Sequence, residues 1–230
     1  MTNHMTQRGL IRGVVVGMAI IMLVVLAGCG GGEDKPPMPS FGGYPNHWVV
    51  LTSLQSDGVT YNMNDPLTGN GDTFNAKYGD PATRILAMQT YYPVEGASIA
   101  SDVPVFRQNV DPWQSDLLGT SAWTIKNSGC AVTSVAMLLA KYGALDVNPG
   151  TLNKWLTDNG GYTEDPNDSS VLDQIDWKVA AGYLGPNQTV SVMTSGDRVD
   201  WPDDPPTPAD LPMINTELAK GPVVVGLELK

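Results

Sequence analysis

The run from Cys130 to Lys141 (CAVTSVAMLLAK) is apolar almost all round, and it constrains the chain more than any other feature. A helix without a polar face must be surrounded by other elements, so the expected domain wraps a central helix that starts at Cys130. Tyr142-Gly143 closes that helix. Asn148-Pro149 then supplies a cap and a first-turn proline to a second helix, with Leu152, Trp155 and Leu156 on one face up to Asn159-Gly160. Ser170 to Tyr183 repeats the spacing with Val171, Ile175 and Val179, and Leu211 to Ala219 reads as a last helix.

Strands flank this helical stretch. His47 to Ser53 and Val59 to Asp65 are rich in β-branched and aromatic residues, and Gln55 to Gly58 between them is turn chemistry, which predicts a hairpin. Arg84 to Tyr92 reads as a third strand and Pro222 to Leu229 as a buried one. Strands, then helices, then a strand make an α+β chain.

The 230 residues suit one or two domains. With 24 acidic residues against 13 Lys and Arg, a net charge of −11 and no basic cluster, a nucleic-acid surface is excluded. Two cysteines and two histidines, with scattered acids, offer no metal-ligand spacing and no disulfide framework. No cofactor is expected.

At the front, Arg8 and Arg12 precede an apolar run from Val14 to Leu26. It is shorter than the roughly 20 residues that span a bilayer, and it has the layout of a secretory signal peptide. Leu26-Ala27-Gly28-Cys29 resembles the lipobox of bacterial lipoproteins. That resemblance implies removal of residues 1–28 and a lipid on Cys29. The expected product is anchored to a membrane of a bacterial cell envelope, faces outside the cytoplasm, and is monomeric. Residues 29–40, rich in Gly and Pro, read as a tether, and the folded domain as 41–230.

Without the signal, one imidazole, His47, and one thiol that is not lipidated, Cys130, remain. An unpaired cysteine in an exported protein is a reactive-thiol candidate. The start of a helix favours its thiolate, and Gly129 before it allows close backbone approach to a substrate. The competing reading is a small buried hydrophobe. For His47 the competing reading is a satisfied structural residue. A hairpin loop centred on Ser56 would place His47 opposite Asp65 on one face, where a carboxylate can orient an imidazole. A tight turn at Asp57-Gly58 would shift the register by an odd number of residues and separate them.

The segment Val103 to Trp113 (VPVFRQNVDPW), with Thr124-Ile125, Ser128-Gly129-Cys130-Ala131-Val132-Thr133-Ser134, Met137 and Tyr142-Gly143, resembles the front half of bacteriocin-processing (double-glycine) peptidase-like domains. Asn148 to Leu156, Asn159 to Tyr162 and Lys220 to Gly226 continue the likeness. Asn46 to Leu51 and Asn64-Asp65-Pro66 resemble the family's back half. The resemblance implies a papain-like fold and a cysteine peptidase or amidase acting on a peptide or protein. Cys130 would be the nucleophile, His47 the general base and then acid, Asp65 its orienting group, and Gln108 an oxyanion donor. The order departs from the family, because the His and Asp half (41–95) precedes the Gln and Cys half (103–230). Either the domain is circularly permuted or the chain joins parts of two incomplete domains. An inactive binding module on the same scaffold is the alternative function.

Overall fold

The structure is a computed structural model and describes residues 46–165, 168–201 and 207–229. The signal segment, Cys29, the tether and the expected start of the domain at Phe41 lie outside the described residues.

The expected hairpin forms from β1 (His47–Leu54) and β2 (Tyr61–Asp65). Its loop is held by Asp57, whose carboxylate accepts from the backbone N–H groups of Val59 and Thr60 and from the Thr60 hydroxyl. A strand β3 (Gly69–Thr73) and two short helices, α1 (Phe74–Tyr78) and α2 (Pro81–Arg84), lead into β4 (Ile85–Pro93). The helical stretch comprises α3 (Ile125–Ser128), α4 (Cys130–Lys141) and α5 (Pro149–Asp158). β5 (Tyr162–Asp165), β6 (Asp168–Ile175), α6 (Trp177–Ala181), β7 (Met193–Asp200), α7 (Leu211–Leu218) and β8 (Val223–Leu227) complete the chain. The architecture is α+β, consistent with a papain-like peptidase fold.

One expected element differs. Residues 170–183 are not a single helix: the first part is strand β6, paired with β5, and only Trp177–Ala181 is helical. The reason lies at Asp176, whose carboxylate caps the N–H groups of Lys178 and Val179 and so starts the helix there. By contrast, α5 has the expected cap, a reciprocal pair in which Asn148 Oδ1 accepts from Thr151 N–H and Thr151 Oγ1 accepts from Asn148 N–H.

Six strands form one antiparallel sheet in the order β3-β2-β1-β8-β4-β7. Alternation along the strands splits the core into two layers. Trp48, Val50, Ala87, Tyr91 and Val224 face α4 and α5, whereas Val49, Leu51, Ile85, Met88, Val223 and Val225 face Phe74 and the α7 residues Ile214 and Leu218. In α4, Val135 through Leu139 have no solvent exposure, and each such Val, Leu or Met contributes roughly 1.5–3 kcal/mol of burial. Ser134 Oγ donates to the Trp48 carbonyl at 3.2 Å and fixes α4 against β1.

The two halves of the sequence share this sheet, because β1 lies between β2 and β8, with His47 paired to Leu227 and Leu51 to Val223. A protease cut in the exposed 94–102 connection should therefore leave two fragments that co-elute in gel filtration. Release of a folded C-terminal fragment on its own would contradict the shared sheet.

Candidate active site

The hairpin register decides whether His47 and Asp65 meet, and it does so by a route the sequence does not advertise. Near the turn the pairs are Leu54 with Tyr61 and Ser53 with Asn62, the register of the tight Asp57-Gly58 turn. Left alone, that register would put His47 and Asp65 on opposite faces. A bulge at Thr52 shifts it, so that Leu51 pairs with Met63 and Val50 with Asn64. Asp65 then stands level with Val49 and shares a face with His47 as a diagonal neighbour. The expected loop centred on Ser56 is thus incorrect, while the pairing it was meant to explain is present: His47 Nε2 and Asp65 Oδ1 are 3.1 Å apart, and neither residue is exposed.

Asp65 is a four-way acceptor. Oδ1 takes the His47 ring N–H and the backbone N–H of Leu67 at 2.7 Å, and Oδ2 takes the Lys77 ammonium and the Tyr78 hydroxyl. Burial on its own would raise this carboxyl. The hydrogen bond and charge of His47, followed by the hydrogen bonds from Lys77 and Tyr78, outweigh it and hold Asp65 well below the usual carboxylate range. Tyr78 moves the opposite way: burial, reinforced by the Asp65 charge, pushes its hydroxyl far up, so it acts as a donor. Because a carboxylate only accepts, Nε2 carries a hydrogen toward Asp65, which fixes the tautomer in which Nδ1 holds the lone pair whenever the ring is neutral. Nδ1 is buried and has no hydrogen-bond partner among the described residues.

Gln108 is fully buried between the segments that carry Asp65 and Cys130. Its backbone N–H donates to the Pro66 carbonyl at 2.8 Å, and its side-chain Nε2 donates to the Lys126 carbonyl at 2.8 Å, in the helix that runs into α4. One of the two amide hydrogens is thereby spoken for. Its Oε1 has no partner among the described residues.

Cys130 opens α4, which no side chain caps, and it belongs to the core layer of Trp48 and α4. The His47 ring instead tilts against Tyr78 at a centroid separation of 6.0 Å, on the side of Phe74. Cys130 is 1% exposed and disulfide-bonded, and among the described residues no cysteine is free. This corrects the expectation of an unpaired thiol. Gly129 also has another role than expected: a Cβ there would lie 2.6 Å from Ile125, so glycine permits the close junction of α3 and α4.

A cleft of about 870 Å³ lies beside Cys130, with Ser128, Trp48, Gln89, Trp177 and Arg198 among its walls. The Trp48 and Trp177 rings are 4.7 Å apart, and the Arg198 guanidinium sits 5.2 Å from the Trp48 ring centre. His47 and Asp65 do not line it. Among the described residues, no group of three or more His, Cys, Asp or Glu side chains is placed to hold a metal ion.

The sequence reading missed Lys77 and Tyr78. Their only signal was position, one short helix past the aspartate, and nothing in Gly69 to Asn75 announced that the chain would turn back.

A model of the Peptidase_C39 like family matches residues 100–201. The match supports a C39-like peptidase domain; it contains Gln108 and Cys130 and begins after His47 and Asp65. No curated protein and no solved structure matches the chain.

The lowered Asp65 carboxyl makes stability depend on acid. Its folded value lies below its unfolded one, so its contribution is complete above the ordinary carboxylate range near pH 4 and is lost as pH falls through the folded value. Asp65→Asn should cost on the order of 3 kcal/mol at pH 7, since it leaves Lys77 without its charge partner. It should also flatten the pH dependence of the urea midpoint below about pH 5. A variant as acid-sensitive as the native protein would contradict this account.

Proposed function

We propose that the chain is a lipid-anchored, extracytoplasmic cysteine peptidase or amidase. The observation that carries this reading is the buried His47 and Asp65 pair, with the Nδ1 lone pair of His47 left unused. The family match around Gln108 and Cys130 supports it independently.

The mechanism requires the Cys130 sulfur, which belongs to the α4 layer, to reach His47 Nδ1, whose ring lies against Tyr78 on the Phe74 side; the thiol then passes its proton to Nδ1 and the thiolate attacks a peptide carbonyl. The Cys130 backbone N–H and the remaining Gln108 amide hydrogen stabilise the oxyanion. His47 then protonates the departing amine, and the same imidazole activates the water that releases the acyl group. Asp65 keeps the ring in the required tautomer throughout. Turnover needs Cys130 as a thiol, so activity requires reduction of the bond the sulfur makes in the structure.

The pairing of β1 with β8 favours the permuted arrangement, in which both halves build one domain. The alternative is an inactive binding module, and the near-complete burial of Cys130 favours it.

Two experiments test the proposal. Replacing Cys29 with Ser should abolish incorporation of labelled fatty acid while leaving the melting temperature of the soluble domain unchanged. Continued labelling would remove the anchor. With reductant present, Cys130→Ser and His47→Ala should abolish amide hydrolysis, and Gln108→Ala should lower it by about a hundredfold or more, the scale for one oxyanion donor. Iodoacetamide should alkylate the reduced native protein faster than the His47→Ala variant. Labelling that occurs only on unfolding, and is indifferent to His47, would leave the binding module as the better account.

A further inference from the structure

The Asp65 carboxylate is held by more than a triad requires. Its Oδ2 is bound by Lys77 and Tyr78, adjacent residues of α1, and Lys77 is fixed in turn by the Thr68 hydroxyl and lies 5.3 Å from the Tyr78 ring centre. The hydroxyl of Thr73 caps α1 by accepting from Ala76 N–H at 3.2 Å, which fixes where the helix starts. Asp65 is fully buried and Lys77 is 22% exposed, so the ammonium reaches in from the surface to an anion that water does not touch.

This arrangement changes what Asp65 can do for His47. A lone buried carboxylate both orients an imidazole and favours its charged form. A carboxylate already matched by an ammonium orients the ring equally well but offers the imidazolium much less net attraction. The thiolate and imidazolium pair is correspondingly less favoured against the neutral thiol and imidazole.

We propose that Lys77 is a positioning residue of this site, one that locks Asp65 and sets the pH at which reduced Cys130 becomes reactive. The proposal rests on the reading that His47 serves Cys130. The charged and titratable groups around Asp65 are His47 from β1 and Lys77 and Tyr78 from α1, with Asp72 of β3 acting on Tyr78. Arg84 and Arg107 give their guanidinium hydrogens to the Tyr78 and Leu67 carbonyls instead. Around Cys130, the cleft adds Glu164, Asp173, Asp176, Lys178, Asp197 and Arg198. These stay the same in every variant below, so a difference between variants reports position 77.

The test is the rate of iodoacetamide alkylation of the reduced protein as a function of pH, in which the Cys130 sulfur displaces iodide. Lys77→Met removes the charge and the donor, Lys77→Gln keeps a donor, and Lys77→Arg keeps both; thermal melts establish that each variant is folded. The midpoint of the alkylation profile should move down by about one unit in Lys77→Met and in Lys77→Gln, the lower end for an ionic neighbour. In Lys77→Arg it should stay with the native protein. Coincident native, Met and Gln profiles, or an Arg variant shifted as far as Met, would overturn the role of Lys77. His47→Ala separates the two levels. If its profile matches the native one, the peptidase reading itself fails; if it differs while the uncharged position-77 variants do not, only the Lys77 proposal fails.

Discussion

The antiparallel pairing of β1 with β8 is the constraint on which the rest depends. It inserts an early strand of the described chain between β2 and its last strand, so the sheet is continuous only when both halves are folded. The α4 helix packs on one side of that joint through Trp48 and Val50, and α7 on the other through Val49 and Leu51. His47 stands at the end of the joint, paired with Leu227. Its ring is therefore positioned by backbone hydrogen bonds from both halves, which is a stiffer support than a loop provides.

Order along the chain matters little for such a site. A constellation of nucleophile, base and orienting group is defined by where the side chains stand and not by their sequence. With β1 and β8 as neighbours, the strand that resembles the family's histidine strand lies beside the strand that would ordinarily precede it. That adjacency is what circular permutation needs, because moving the chain breaks to another point on the surface costs little when the elements keep their partners.

Much of this was legible in the residues, for reasons of local chemistry. The apolar run from Cys130, the cap at Asn148-Pro149 and the Val-rich stretch at 223–225 each specify an element within a few residues. The failures were also local. Residues 170–175 carried an apolar spacing that fitted a helix, yet Asp176 starts the helix only after them. The Thr52 bulge left no mark, because a bulge is chosen by the fit of two faces over the whole hairpin. Gly129 was read toward a substrate, but its space is filled by Ile125. Lys77 could not be assigned either, since a lysine on a short polar helix is ordinarily a solvated surface residue, and only folding shows the buried carboxylate it meets.

The bulge reconciles the turn with the contact between His47 and Asp65. A tight turn gives the hairpin a stable end, anchored by Asp57, but fixes the wrong parity for His47 and Asp65. Leaving Thr52 out of the ladder keeps the parity right without loosening the turn, so each end of the hairpin keeps its own best geometry. Deleting Thr52 should therefore be tolerated: Leu51 with Met63 and Ser53 with Asn62 become consecutive pairs, the turn and its Asp57 bonds persist, and His47 stays on the Asp65 face. Forcing Thr52 into a regular ladder, by contrast, would set Asp65 level with Val50 and exchange Val49 and Leu51 with Trp48 and Val50 between the two core layers, which is why the strand bulges there instead.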